Sequence, residues 1–381
     1  MPRIDILYFN AGGGHRSAAM ALQAVIAQQQ RPWDLRLVNL NEILLKTDIF
    51  KKLTGLGLED LYNLILKKGW TLGSTQLLPV MHAFIRHYHS TQVELITEFW
   101  RQDPPDMVIS VIPNFNRAIY QALRKVSAKA PFTTIITDLA DYPPHMWIEK
   151  QEGAIICGTP KAFQQARDLG HTEDEVFQTS GMILRPTFYD VKPIDRIAER
   201  IRLGLNPDLP TGIVLFGGQG APVMRQISER MDRAANPSQL ILMCGHNEKL
   251  AAKLKTMKLK MPFHVQGFTQ EVPYFMQLAD FLIGKPGPGS VSEALAMGLP
   301  VIVERNAWTM PQERYNAEWI MENNFGIALG NFRQITQAVD KMLEPKALAS
   351  YKASAAAYKN RAVFEIPDML EKILERRRPR V

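Results

Sequence analysis

The sequence predicts an α/β protein of two domains, each a parallel sheet flanked by helices, the two facing one cleft. Three observations predict it. Strand-like runs alternate with helix-period stretches along most of the 381 residues. One glycine turn, Asn10-Ala11-Gly12-Gly13-Gly14-His15, follows the first strand-like run. Another, Gly284-Lys285-Pro286-Gly287-Pro288-Gly289-Ser290, follows a late strand and opens a helix. A strand, a glycine turn and a helix N-terminus together aim backbone N–H groups and a favourable dipole at an anion.

The elements follow in order. Ile4–Phe9 reads as a strand before a helix from about His15 to Gln30, and Asp34–Asn39 as a second strand. Met107–Ile112 precedes a helix over 116–128, and Phe132–Thr137 and Gly153–Gly158 complete the first half. Arg185–Pro193 holds two prolines and no clear period, as a linker does. A helix over Ile194–Leu203 opens the second half, whose strands are Gly212–Gly217, Gln239–Gly245, Phe263–Gly267, Asp280–Ile283 and Leu299–Glu304. The expected domains are 1–187 and 194–350, with 351–381 as a helix and basic tail that could return to the N-terminal domain.

Composition narrows the class. Hydrophobic residues make up 46% and charged residues 22%, so each half can bury a core of its own. Cys157 and Cys244 each close an apolar run and read as core thiols in a reducing compartment. Met1-Pro2-Arg3 leads straight into a strand, without a signal-peptide pattern, and no apolar run approaches the roughly 18 residues of a membrane span. The expectation is a cytoplasmic protein, or one peripheral to a membrane. The net charge of +7 suits nucleic acid, anionic lipid or a polyanionic substrate. The terminal Arg376-Arg377-Arg378-Pro379-Arg380 reads equally as a solubilising end.

Between Asn41 and Gln102 the strand rhythm stops. Leucines and isoleucines there are interleaved with Lys46, Lys51, Lys52, Lys67 and Lys68. The stretch reads as a helical subdomain packed on the first sheet, or as an apolar, basic-rimmed surface that meets a membrane or a lipid tail. Lysine stems also cover apolar surface in soluble proteins, so the pattern leaves both open.

Several motifs can carry chemistry. The Gly12-Gly13-Gly14-His15 turn is neither a Walker A loop nor a dinucleotide fingerprint. His15 is either a polar first-turn residue or a neutral imidazole able to take a proton at the strand ends. Phe216-Gly217-Gly218-Gln219-Gly220 is a second-half turn that could approach a phosphate closely, or a tight turn with nothing bound. Ser290 and Glu293 have capping-box spacing, yet a carboxylate there could also accept from a ribose diol. Gln312 and Glu313, after Pro311, could bond sugar hydroxyls or simply begin a helix. Asp138 and Asp141, after a first-half strand, could act as a base or orient one. His145 has no second ligand at a metal-site spacing, so no metal is expected.

The ordered set resembles one family over about residues 4–345. It runs from strand-GGGH-helix through Thr137-Asp138-Leu139, His145 and Trp147 to the Gly217–Gly220 turn and Gly267-Phe268-Thr269. It ends in Lys285–Ser290, Ser292-Glu293-Ala294-Leu295 and Pro311-Gln312-Glu313 with Asn316. This set is similar to the GT-B glycosyltransferases that include monogalactosyldiacylglycerol synthase and the processive diacylglycerol glucosyltransferases. The enzyme that adds N-acetylglucosamine to lipid I is a more distant likeness. Pro286 and Ser290 depart from the family's frequent Ala and Thr in this turn.

The resemblance implies a GT-B fold, two Rossmann-like domains facing a central cleft. It implies an inverting transfer of a hexose from a UDP-sugar to a diacylglycerol-like lipid hydroxyl at a membrane surface, without cofactor or metal. His15 becomes the general base, with Asp138 beside it in the catalytic set. Gly217, Gly218, Gln219, Gly220, Gly267, Phe268, Gly287, Gly289, Ser290, Glu293, Gln312 and Glu313 become the donor contacts. Gly13, Gly14, Asn114, His145 and Trp147 become the acceptor side. The insert at about 41–102 becomes the membrane or lipid-docking region. The implied partners are a UDP-sugar, a membrane lipid and an anionic membrane surface on the cytoplasmic face, with no nucleic acid. A UDP-sugar epimerase or hydrolase on the same fold, or a non-catalytic nucleotide-sugar-binding protein, are the competing classes.

Overall fold

The computed structural model describes residues 1–10, 13–44, 83, 85–142, 145–307 and 309–376. The chain forms two compact units. The first holds the described residues up to Pro186 and those from Asn360 onward, and the second holds Thr187–Lys359. Most of the expected lipid-docking insert, the residues Ala11, Gly12, Pro143, Pro144 and Trp308, and the tail beyond Arg376 lie outside the described residues.

The first unit is one six-stranded parallel sheet, β1 (Arg3–Tyr8), β2 (Asp34–Asn39), β3 (Met107–Ser110), β4 (Phe132–Ile135), β5 (Ala154–Cys157) and β6 (Val176–Gln178), in the order β2-β1-β3-β4-β5-β6. Its helices are α1 (Gly14–Gln28), α2 (Leu40–Leu44), α3 (His89–Arg101), α4 (Asn116–Val126) and α5 (Pro160–Asp168). Successive strand residues point to opposite faces. Ile4 and Ile6 pack with Leu22 and Ile26 of α1. Leu7 and Val108 face Val93, Ile96 and Trp100 of α3 and Ile119 and Leu123 of α4. Asp5, fully buried on β1, accepts from both Arg36 (3.0 and 2.6 Å) and Trp100 Nε1 (2.8 Å), which satisfies its charge. The last part of the insert, α3, is therefore core of this unit.

The second unit is also a six-stranded parallel sheet. It holds β7 (Thr211–Leu215), β8 (Gln239–Met243), β9 (Phe263–Gln266), β10 (Phe281–Gly284), β11 (Val301–Glu304) and β12 (Gly326–Leu329), in the order β12-β11-β10-β7-β8-β9. Its helices are α6 (Arg196–Arg202), α7 (Val223–Met231), α8 (Glu248–Lys255), α9 (Val272–Gln277), α10 (Pro288–Ala296), α11 (Pro311–Glu322), α12 (Ile335–Leu343) and α13 (Pro345–Ala357). Val214, Leu242, Ile283 and Ile302 of the sheet meet Met224, Ile227, Leu254, Ile335 and Val339 in one core.

The final helix, α14 (Ala362–Arg376), belongs to the first unit. Ile366, Leu370 and Ile373 join the α1 face of its core, and Asp368 and Glu371 pair with Arg31. The chain passes between units at Lys359–Asn360 rather than at 350, because Leu348 and Tyr351 pack on the second core. Strands β6 and β12 escape the sequence reading. Both are short, each lies at a sheet edge, and neither is buried throughout.

Candidate functional site

In the first sheet the chain runs outward from β1 to β2 on one side and to β3 on the other, so β1 and β3 flank the topological switch point. Ligands bind open α/β sheets beyond the carboxyl ends of strands at such a point. Gly13, Gly14 and His15 follow β1, Asn114 follows β3, and Thr137 and Asp138 follow β4. Gly13 caps α1 in the left-handed region (φ 82°) with no side-chain cap, and Gly13 and Gly14 are exposed.

His15 Nδ1 lies 3.2 Å from the Thr137 hydroxyl, and its ring is 5.8 Å from that of Trp147, tilted by 54°. Trp147 is fully buried and donates its indole N–H to Asp138 Oδ2 at 2.9 Å. Its backbone is clamped at both ends. Asp141 Oδ1 accepts from its N–H at 2.7 Å, and Asn116 Nδ2 donates to its carbonyl at 2.8 Å. Asp141 Oδ2 also accepts from the His145 N–H at 3.0 Å. Asn114 (φ 69°) and exposed His145 (φ 65°) are both left-handed, a conformation that persists where surrounding contacts impose it. Here those contacts are the Asp141 carboxylate and the bond from Asn114 N–H to the Met146 carbonyl at 2.6 Å.

The His15 ring keeps some solvent contact, yet protein surrounds it closely. Burial pushes its pKa down to about 4, against the opposing pull of a hydrogen bond with the Val111 backbone. The imidazole is therefore neutral at neutral pH and can accept a proton. Burial raises the Asp141 carboxyl, partly offset by four backbone N–H groups from His145 to Ile148.

In the second sheet the chain runs from β7 outward to β8 and β9, then returns to β10 on the other side of β7. The switch point lies between β7 and β10, and both glycine turns of this half fall there. Gly217–Gly220 follow β7, and Lys285–Gly289 follow β10, with Gly284 paired to Leu215. Gly218, Gln219 and Gly289 are exposed and Gly287 is buried. Gly245 (φ 56°), after β8, touches this turn so closely that a Cβ on it would stand 2.1 Å from the Gly218 carbonyl oxygen. His246 donates its backbone N–H to that same oxygen at 2.8 Å. The His246 ring stacks on Phe268, with centroids 3.9 Å apart at 19°, and Phe268 is 57% exposed beside Gly267.

Helix α10 starts at Pro288, with Gly287 as N-cap and no side-chain cap. The capping-box alternative fails here: Ser290 sits inside the first turn and its hydroxyl donates to the Gly287 carbonyl at 3.3 Å. Glu293 is half-buried one turn further along α10. Gln312 and Glu313 open α11 after Pro311, and both are buried rather than exposed. Glu313 Oε1 accepts from Lys285 Nζ at 2.6 Å.

Within the first unit the structure thus gathers His15, Asp138 and Trp147, with His145 and Asn114 on the backbone loop around Trp147. Within the second it gathers the two glycine turns, Ser290 and Glu313. Thr137, the polar partner of His15, carries no role in the sequence reading. Its signal was its place directly before Asp138 at a strand end. His246 was also missed, though Gly245-His246 repeats the strand, glycine, histidine order of Gly14-His15. Among the described residues no three His, Cys, Asp or Glu side chains gather as a metal site requires. No helix among them is long and apolar enough to cross a membrane.

Residues 212–367 match the glycosyltransferase family 28 C-terminal domain. The chain is 29% identical over 397 aligned positions to the chloroplastic monogalactosyldiacylglycerol synthase of Spinacia oleracea, covering 98% of this chain and 73% of that one. Among solved structures it resembles Acinetobacter baumannii MurG (TM-score 0.64, 12% identity, 98% and 100% of the two chains covered). It also resembles Anabaena Alr3699/HepE in complex with UDP-glucose (TM-score 0.56, 13% identity, 99% and 100% covered). The fold is that of the GT-B glycosyltransferases, residues 212–367 match a glycosyltransferase family 28 domain, and monogalactosyldiacylglycerol synthases are similar to this chain along nearly its whole length.

Proposed function

We propose that this glycosyltransferase moves a hexose from a UDP-sugar to the hydroxyl of a diacylglycerol-like lipid, with inversion, at a membrane surface. The observation that carries the lipid acceptor is the likeness along 98% of the chain to enzymes named for making a galactosyl diacylglycerol. Galactose is accordingly the first sugar to test. The glycine turns at the β7–β10 switch point support the nucleotide diphosphate, and the neutral His15 supports the base.

In this reading the acceptor oxygen attacks the anomeric carbon from the face opposite UDP. His15 takes the proton that the hydroxyl gives up. The bond from the anomeric carbon to the β-phosphate oxygen breaks, its electron pair leaves with UDP, and an α-linked donor yields a β-glycoside. Charge developing on the β-phosphate is met by backbone N–H groups of the glycine turns and the uncapped N-terminus of α10, preorganised donors of the kind that stabilise leaving groups. This assignment uses no metal ion, so EDTA leaves turnover unchanged. Asp138 acts on Trp147, whose ring neighbours that of His15.

The test incubates the protein with UDP-galactose, UDP-glucose and UDP-N-acetylglucosamine, with and without vesicles containing diacylglycerol. Release of UDP that requires the lipid, with a β-linked glycolipid as product, is expected. Release without any acceptor would make the protein a hydrolase, and epimerised donor with no release would make it an epimerase. Binding without turnover would make it a nucleotide-sugar-binding protein.

A further inference from the structure

We propose that Lys285 is the side-chain cation of the donor site. It contributes a positive charge to the distal phosphate of the nucleoside diphosphate, and Glu313 holds the ammonium in place for that contact. The inference rests on the UDP-sugar reading and adds to it a residue that the backbone cradle lacks.

Lys285 is the first residue after β10, at the switch point beside β7. Its stem runs past both glycine turns. Its Cε lies 3.9 Å from where a Cβ on Gly217 would stand and 3.4 Å from where one on Gly287 would stand. The Ser290 hydroxyl and Glu313 Oε1 lie 3.3 and 3.6 Å from that same Gly287 point. Two phosphate-type turns, a hydroxyl, an ammonium and a carboxylate thus converge on one spot.

Exposure then separates the two members of the pair. The Glu313 side chain is 8% exposed and the Lys285 side chain 36%. A carboxylate so enclosed requires a partner, whereas the lysine is open on its other side. An ammonium has three donors, and the bond to Glu313 at 2.6 Å uses one. The others are available to a ligand. Lysine suits the role as a compact point charge, the way it serves phosphates in other glycine-rich loops.

Helix α11 is tied to the same turn a second time. Asn316, one turn after Gln312 and fully buried, donates Nδ2 to the Pro286 carbonyl at 2.7 Å. The turn that carries Lys285 and the helix that carries Gln312 and Glu313 are therefore tied at two points. The buried Gln312 Oε1 has no hydrogen-bond partner among the described residues.

The test must separate a phosphate contact from a purely internal ion pair. Lys285→Met alone leaves Glu313 buried without its cation, so the decisive variant is the double one, Lys285→Met with Glu313→Gln. UDP and uridine affinities are measured by calorimetry for the unmutated chain, this double variant and Glu313→Gln alone, with thermal unfolding as the folding control. The double variant is expected to bind UDP about tenfold to a hundredfold more weakly, the range of a lost charge-assisted hydrogen bond, and to bind uridine unchanged. Glu313→Gln alone, which keeps an amide oxygen to accept from the ammonium and so keeps it in place, is expected to bind UDP as the unmutated chain does. A double variant that binds UDP like the unmutated chain would overturn the proposal, as would equal losses for UDP and uridine. Failure of the unmutated chain to bind UDP would overturn the donor reading itself, and with it this inference.

Discussion

The two units solve opposite problems with the same scaffold. Around His15 the first unit is knit by side chains: Thr137 on the imidazole, Asp138 on the Trp147 indole, Asp141 and Asn116 on the Trp147 backbone. At its own switch point the second unit presents chiefly backbone, from Gly217–Gly220, Gly245 and the uncapped start of α10. A base must be one atom in one place, so its side chain is held by neighbours. An anion spread over several oxygens is better met by many N–H groups, which glycine exposes by carrying no side chain. The comparison teaches that side-chain partners build the one half, whereas the other is backbone first, with Lys285, Ser290 and Glu313 set beside it.

The largest expected effect breaks the first half. His15→Ala should lower kcat by about two to four orders of magnitude, the contribution of a positioned general base, while UDP affinity measured by calorimetry stays unchanged. The pH dependence sharpens the same point. The proposed base role requires a neutral His15, and burial puts its pKa at about 4. The acid limb of kcat/KM should therefore fall near pH 4, and a limb near the ordinary imidazole value would show that burial does not act on it. The linkage has a matching sign. Below about pH 6.5 the unfolded chain binds a proton on this residue that the folded chain resists until about pH 4, so this group lowers stability as pH falls through that window.

Breaking the second half needs a methyl group only. Gly245→Ala forces a Cβ to within 2.1 Å of the Gly218 carbonyl oxygen at a positive φ. A cost of about 1–3 kcal/mol in stability is expected, read as a lower Tm, together with weaker UDP binding. Glu293→Ala should weaken UDP by about 1–3 kcal/mol if the carboxylate holds the ribose diol. Equal affinity would return it to the role of a helix-surface residue. The smallest effect is Asp138→Asn, which keeps an acceptor for the Trp147 indole. A loss of about 1 kcal/mol in kcat/KM is expected, with UDP affinity intact. A loss as large as that of His15→Ala would place Asp138 in the proton transfer itself.

The fold was legible wherever a signal was local. Strand-turn-helix units announce themselves through apolar periodicity and glycine within a few residues of one another, and ten of the twelve strands among the described residues are legible this way. The two that escaped, Val176–Gln178 and Gly326–Leu329, are edge strands of three and four residues. The sequence leaves the capping of α10 open. Ser290 and Glu293 have the spacing of a capping box, but Pro288 starts the helix earlier, and the spacing alone does not show which residue caps.

By itself the sequence determined that this chain is a parallel α/β protein with glycine turns at chosen strand ends, because periodicity and glycine act over one or two turns of chain. It also determined the residue types at the sites. Only the tertiary structure decided the partners. Thr137 meets His15 from 122 residues away, Glu313 meets Lys285 from 28 residues away, and Ala362–Arg376 returns to the first core. Those pairings depend on which strands lie side by side, and strand order is set by burial and crossover geometry summed over the whole unit, not by any local run of residues.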